Sequence, residues 1–285
     1  MNLPKKFVSL TLLAALALTA ASCVAKKESA AAPAPAAAKV AEIQKAGKLV
    51  IGTSADYPPY EFHSLKDGKD IIVGFDIAIA EELAKDLGVA LEIKDMQFDG
   101  LLAALQAGNI DIVISGMTPT EERKKSVDFT NTYYYAVHGV MVRTADKDKL
   151  STVEALKKAR LSAQKGTIQV GIAKTQILGL SKEEAEKDQT SVKEVGTIKN
   201  LVLDLKNDKV DAIVAELPVA AAYVGKNPDL TVAAPTFKDD DGGSAIAVKK
   251  GNEDLVAALN KTLDRLISEK KIDQFVAEAN ELVEN

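Results

Sequence analysis

Tryptophan is absent from these 285 residues, cysteine occurs once and histidine twice. So few soft or imidazole ligands leave no basis for a zinc site, a disulfide framework or a Cys–His catalytic pair, and neither metal nor cofactor is expected. Aromatic residues make up only 5 % of the chain, so a ring set beside polar residues stands out. A basic face is missing too. The net charge is −5, with lysines and glutamates interspersed, and nucleic acid is not an expected partner. What the chain does have is 47 % apolar residues, enough for a sizeable core in one or two domains.

Residues 1–22 read as a signal peptide. Lys5 and Lys6 supply a positive start, and the apolar run 7–21 is too short to span a bilayer comfortably. Ala20, Ala21 and Ser22 then lead directly into Cys23, the single cysteine. This resembles the lipobox of bacterial lipoproteins, with alanine in place of the more usual leucine, and it makes Cys23 the expected lipidation site. Two acyl chains there would hold a soluble domain at a membrane. Residues 23–39, rich in alanine and proline, lack the large apolar groups that offset chain entropy and read as a lipid-anchored flexible linker.

The stretch 111–123, D-I-V-I-S-G-M-T-P-T-E-E-R, ends an apolar run in Ser115, Gly116 and Thr118 and then presents Arg123. Hydroxyls and backbone N–H groups at a strand's carboxyl end, with a guanidinium close by, suit an anion. Around it the chain alternates. Residues 48–53 read as a buried strand, 74–87 as an amphipathic helix closed by Gly88, 91–93 as a strand, 98–107 as a second helix and 110–114 as a strand. That is the pattern of a doubly wound parallel sheet, in which ligands sit beyond the carboxyl ends of the strands. The polar cluster 54–57 lies at such an end as well. A second β-α-β-α unit follows from about residue 152 to 234, with Lys165, Gly166 and Thr167 opening a helix and Glu216 ending a strand. Two such units suggest two lobes facing a cleft.

Five stretches in order, K-L-V-I-G-T-S-A-D-Y-P-P-Y-E-F, I-V-G-F-D-I-A-I-A-E-E-L-A, F-D-G-L-L-A-A-L-Q-A-G-N-I-D, I-S-G-M-T-P-T-E-E-R and V-D-F-T, together resemble the polar amino-acid substrate-binding proteins of bacterial ABC importers, solute-binding protein family 3. The resemblance runs from about Gly47 to the C-terminus. It implies an α/β, two-lobed periplasmic-binding-protein-like fold, each lobe a mostly parallel sheet flanked by helices, joined by two hinge strands. Lobe 1 would comprise 40–136 and 241–285, and lobe 2 residues 137–240. It further implies that Arg123 holds the α-carboxylate of a free amino acid, with Thr118 and the backbone of Thr167. The Ser115–Gly116 segment and Glu216 would take the α-ammonium, and Tyr57 and Phe98 would flank the ligand's stem. Partners would be the permease and ATPase subunits of an importer, with the protein a monomer acting outside the cytoplasm at the membrane through its lipid anchor.

The charge chemistry agrees with this reading. A zwitterion needs one fixed cation and one fixed anion in a dry cleft, and arginine, planar and always protonated, suits the first role. Ser54 stands where relatives that prefer basic ligands often carry an acid, but Asp56 and Glu61 are close by, and Tyr57 and Phe98 could sandwich a guanidinium. Gln164 adds a neutral hydrogen-bonding group. Arginine or another basic amino acid is therefore the leading ligand, with glutamine or histidine as alternatives. A dehydratase acting on cyclic amino-acid precursors, using Glu216 or another cleft acid as general acid, is the alternative on the same scaffold. His63 and His138 receive no role.

Overall fold

The computed structural model describes residues 38–238 and 242–284. The signal peptide, Cys23 and nearly all of the linker lie outside the described residues.

Strands β1 (Lys48–Thr53), β5 (Ala90–Asp95), β6 (Ile112–Val113), β7 (Val127–Phe129) and β13 (Ala247–Lys249) form one five-stranded sheet in the order β5-β1-β6-β13-β7. Strands β8 (His138–Arg143), β9 (Leu161–Gln164), β10 (Val192–Val195), β11 (Ala212–Glu216) and β12 (Leu230–Val232) form a second in the order β10-β9-β11-β8-β12. In the first, β1 pairs in parallel with β5 and β6; in the second, β9 pairs in parallel with β10 and β11. An antiparallel strand then flanks each parallel trio, β13 on β6 and β8 on β11. Both trios therefore place their first strand in the middle. A small antiparallel sheet of β2 (Asp56–Tyr57), β3 (Glu61–Lys66) and β4 (Lys69–Val73) sits at the carboxyl end of β1.

The chain crosses from one sheet to the other twice, between β7 and β8 and between β12 and β13. The crossings run side by side. Tyr134 pairs with Ser244, the Tyr133 N–H donates to the Ser244 carbonyl (2.9 Å), and the Ser244 N–H donates to the Tyr134 carbonyl (2.8 Å). The two C-terminal helices, Glu253–Ser268 and Lys271–Glu284, return to the first sheet's side and pack on the helix Phe75–Leu87. Phe75, Ile79 and Leu83 share one buried core with the apolar stripe Leu255, Leu259 and Leu263. That stripe is the helical period visible in the sequence. Arg265 fastens the rim, donating to Glu82 (2.7 Å) and Asp86 (2.9 Å).

The helix start at Gly74 fixes the strand that carries the site's buried acid. Gly74 has φ +130°, and a Cβ there would lie 2.1 Å from the Tyr60 carbonyl oxygen and 2.9 Å from the Glu61 nitrogen. Phe75 and Asp76 in turn donate their N–H groups to the carbonyls of Pro59 and Tyr60. Gly74→Ala should cost about 3 kcal/mol or more, since backbone must move on both sides. Gly88 also has positive φ (+73°), but nothing lies within 4 Å of an added Cβ. Gly88→Ala should therefore cost only about 1 kcal/mol. Denaturant titration of the two variants checks the contrast, and equal losses would contradict it.

Several elements differ from the sequence expectation. Residues 98–106 begin as a 3-10 turn, Phe98–Gly100, before the α-helix Leu101–Gln106. Helices Lys39–Ala46 and Lys182–Lys187 were not expected. The helix that opens after Thr167 widens into a π-helical segment, Ala173–Ile177.

Candidate functional site

A narrow pocket lies between the two five-stranded sheets, lined from the first by Ser54, Tyr57, Glu61, Phe98, Ser115, Gly116, Thr118 and Arg123. Gln164, Thr167, Ile168 and Gln169 line it from the second. The sequence expectation included Ser54, Tyr57, Phe98, Ser115, Gly116, Thr118, Arg123, Gln164 and Thr167, and the structure brings these together. Asp56 and Glu216 do not line the cavity. Glu61, Ile168 and Gln169 do, without having been assigned a place in it.

Arg123 sits in the short helix Glu121–Lys124, whose first turn Thr120 caps by accepting from the Arg123 N–H. The turn aims the guanidinium back over the cavity. Its Nη1 donates to the Thr118 carbonyl (2.7 Å), its Nη2 donates to the Gly166 carbonyl of the other side (2.9 Å), and its Cζ lies 5.3 Å from the Phe98 ring centroid. A guanidinium over an aromatic face and against carbonyls keeps its charge and its planar fork orientation.

Glu61 is the buried acid of the cavity, with 0 % of its surface exposed. Its Oε1 accepts from Ser115 Oγ at 2.5 Å, and its Oε2 has no hydrogen-bond donor. Beside it stands Asp76, also fully buried, whose Oδ2 accepts from the Gly116 N–H (2.8 Å) and from the Tyr133 hydroxyl (2.9 Å). Burial first, then the Asp76 carboxylate, pushes the Glu61 carboxyl well above the usual range. Burial also raises Asp76, to about 6, against the pull of its Gly116 and Tyr133 donors. The Gly116 and Tyr133 donors favour charge on Asp76, and burial beside that carboxylate favours the neutral form of Glu61.

Asp56 lies just behind the cavity wall. Its Oδ1 accepts from Ser54 Oγ (3.3 Å) and Gln164 Nε2 (3.3 Å), and its Oδ2 accepts from the Ile198 N–H (2.6 Å). Both carboxylate oxygens are thus occupied by protein donors. Glu216, at the end of β11, is buried outside the cavity lining and accepts from the Tyr60 hydroxyl. Burial and then the Glu216 charge hold the Tyr60 phenol far above its ordinary pKa, so Tyr60 stays a donor. Tyr60 belongs to a ring stack behind the wall, with centroids 4.3 Å from Phe75, 5.4 Å from Tyr57 and 5.5 Å from Tyr134. Gln169 reaches both Tyr57 Oη and His138 Nδ1 at 3.3 Å. Among the described residues no group of histidines, cysteines and acids could hold a metal ion.

The signal for Glu61 was present in the sequence: an acid among aromatics, after two prolines at a strand end. Gln169 was harder to find, because it occupies a position in a helical run between Ile168 and Val170 where an apolar residue would fit equally well.

The profile of bacterial extracellular solute-binding proteins, family 3, matches residues 49–279. The arginine-binding extracellular protein ArtP of Bacillus subtilis is 38 % identical over 229 residues, 80 % of this chain and 84 % of that protein. A probable histidine-binding protein of Campylobacter jejuni is 33 % identical over 230 residues, 80 % of this chain and 81 % of that protein. Among solved structures, the amino-acid ABC transporter substrate-binding protein AbpA of Streptococcus pneumoniae, bound to L-arginine, matches with a TM-score of 0.79 at 36 % identity. That match covers 86 % of this chain and 99 % of AbpA. These relatives are transporter substrate-binding proteins and not enzymes, which sets aside the dehydratase alternative. The chain belongs to the bacterial extracellular solute-binding proteins, family 3.

Proposed function

We propose that this protein captures free L-arginine outside the cytoplasm and delivers it to the permease and ATPase subunits of an amino-acid ABC importer. The observation that carries the ligand is Glu61. A fully buried carboxyl, accepting from Ser115 and set beside Asp76, lines a cavity that also holds Arg123. A ligand guanidinium would supply a further donor to it, while Arg123, Thr118 and Thr167 would take the α-carboxylate. Tyr57 and Phe98 would flank the aliphatic stem. The α-ammonium would be met by the Ser115–Gly116 carbonyls and by Glu216.

The lobes follow the two sheets, with 40–136 and 241–285 on one side and 137–240 on the other. Ligand binding would favour the closed arrangement because only there do residues from both sides touch the ligand. The protein would act as a monomer, tethered by a lipid on Cys23. Mass spectrometry of the native protein tests the tether; an unmodified Cys23, or a mature chain starting beyond it, would rule it out.

A second reading is glutamine. A protonated Glu61 donates well to an amide oxygen but is a poor partner for a guanidinium, and Gln164 and Gln169 add amides to the wall. Calorimetry against the twenty amino acids at neutral pH distinguishes the two. Arginine should bind most tightly, with Kd of about 1 µM or below. Failure of every amino acid to bind more tightly than about 1 mM would overturn the function itself.

A further inference from the structure

We propose that Asp56 is a positioning residue, a latch that holds the two sides of the cleft closed over the ligand without touching the ligand. The inference rests on the amino-acid-binding reading above. Asp56 follows β1 and belongs to the side of the first sheet, yet three donors from the side of the second converge on it. The Ile198 N–H reaches Oδ2 at 2.6 Å, Gln164 Nε2 reaches Oδ1 at 3.3 Å, and the Tyr223 hydroxyl donates to the Asp56 carbonyl at 2.8 Å.

The contact with Ile198 is a helix cap supplied from across the cleft. Ile198–Lys206 is a nine-residue helix with Thr197 as its own N-cap, and the Thr197 side chain accepts from the Asn200 N–H. Thr197 therefore leaves the first amide, that of Ile198, for another acceptor. Asp56 supplies it with a carboxyl oxygen at the positive end of the helix, and this hydrogen bond favours the carboxylate against the burial that raises its pKa. When the cleft opens, the Ile198 amide and the Asp56 carboxylate must separate and return to water. The latch thus exists only in the closed arrangement.

Asp56 does not line the cavity, and both its carboxylate oxygens already accept from protein donors. It does contact two residues that line the cavity, Ser54 and Gln164. A residue so placed sets how much of the ligand-free protein is closed. Apparent affinity scales with the population of the binding-competent state, so the latch should strengthen every ligand by one common factor. A residue touching the ligand side chain would instead change the preference between ligands.

The test uses Asp56→Ala and Asp56→Asn together with Tyr223→Phe, which removes only the donor to the Asp56 carbonyl. Calorimetry with L-arginine and L-glutamine should show Asp56→Ala weakening both by the same factor, roughly tenfold, the effect of losing a charged cap. The ratio of the two affinities should stay within about twofold. Asp56→Asn, which keeps an acceptor, should recover part of the loss, and Tyr223→Phe should give a smaller loss in the same sense. Amide exchange at Ile198 in the ligand-free protein supplies a readout that needs no ligand, and it should accelerate in Asp56→Ala. A larger loss for arginine than for glutamine would make Asp56 a ligand contact and overturn the proposal. Unchanged affinities with unchanged exchange at Ile198 would overturn it equally. If neither amino acid binds the unmodified protein, the amino-acid reading falls, and exchange at Ile198 alone decides the latch.

Discussion

Arg123→Ala should bind L-arginine at least about a hundredfold more weakly than the unmodified protein, and L-glutamine should lose a similar factor. The reason is that both ligands present the same α-carboxylate, and removing its cation leaves that charge buried without a counter-ion. Stripping one partner from a desolvated charge pair costs about 2–5 kcal/mol. Arg123 also donates to the Gly166 carbonyl on the far side of the cleft, so the alanine variant loses a closure contact as well. Arg123→Lys separates the two effects. It keeps a positive charge but loses the planar fork, and it should still cost at least about tenfold. Calorimetry on both variants with both ligands is the measurement, and near-native affinity in Arg123→Lys would remove Arg123 from the carboxylate role.

Glu61→Gln should lose most of the preference for arginine over glutamine and should flatten the pH dependence of arginine binding. In the ligand-free protein burial and the neighbouring Asp76 carboxylate both favour the protonated form of the Glu61 carboxyl. A guanidinium arriving at Oε2 favours the carboxylate and expels that proton. Binding that releases a proton strengthens as pH rises, by up to about tenfold per unit, until the pH passes the raised value of the free protein. Arginine affinity should therefore climb with rising pH, whereas glutamine affinity should stay nearly level. Calorimetry in two buffers of different ionisation enthalpy counts the proton directly. Proton uptake, or no exchange with arginine, would show that Glu61 does not face the cationic group.

The stability of the ligand-free protein should carry the opposite trend from the same pair. Both carboxyls are raised in the fold, so their contribution is fully present below the ordinary carboxylate pKa. It is lost as pH rises through the folded values, near 6 for Asp76. Within this window the pair makes the free protein less stable as pH rises, and arginine, by pairing with Glu61, should offset that loss. Thermal melts with and without arginine at pH 5 and pH 7.5 check the sign.

Much of this was legible in the sequence because the relevant signals are local. Arg123 follows its strand by a fixed short turn, Thr167 opens a helix, and Phe98 begins one, so each could be placed from its own neighbours. Asp56 and Glu216 fall outside the cavity lining for a non-local reason. Asp56 finds its partner at Ile198 and Glu216 finds Tyr60, each more than a hundred residues away in the chain, and no periodicity reports such a meeting. Glu61 was the converse. An acid that strand alternation would allow on either face is held inside by Ser115 and by the helix start at Gly74. The helices Lys39–Ala46 and Lys182–Lys187 were missed because both are short and rich in charge, which leaves little apolar period to read.

The strand order has a consequence for how the chain must assemble. The second sheet is built from one unbroken stretch, β8 to β12, and is complete once Val232 is in place. The first is not. Strand β13 lies between β6 and β7, so until Lys249 has arrived β7 has no neighbour and the sheet that begins with the earliest strand remains split. Bringing β13 to Val113 and Phe129 closes loops of more than a hundred residues, the slow kind of contact in folding. The side of the molecule that starts first is therefore the one that finishes last, and it finishes around a half already formed.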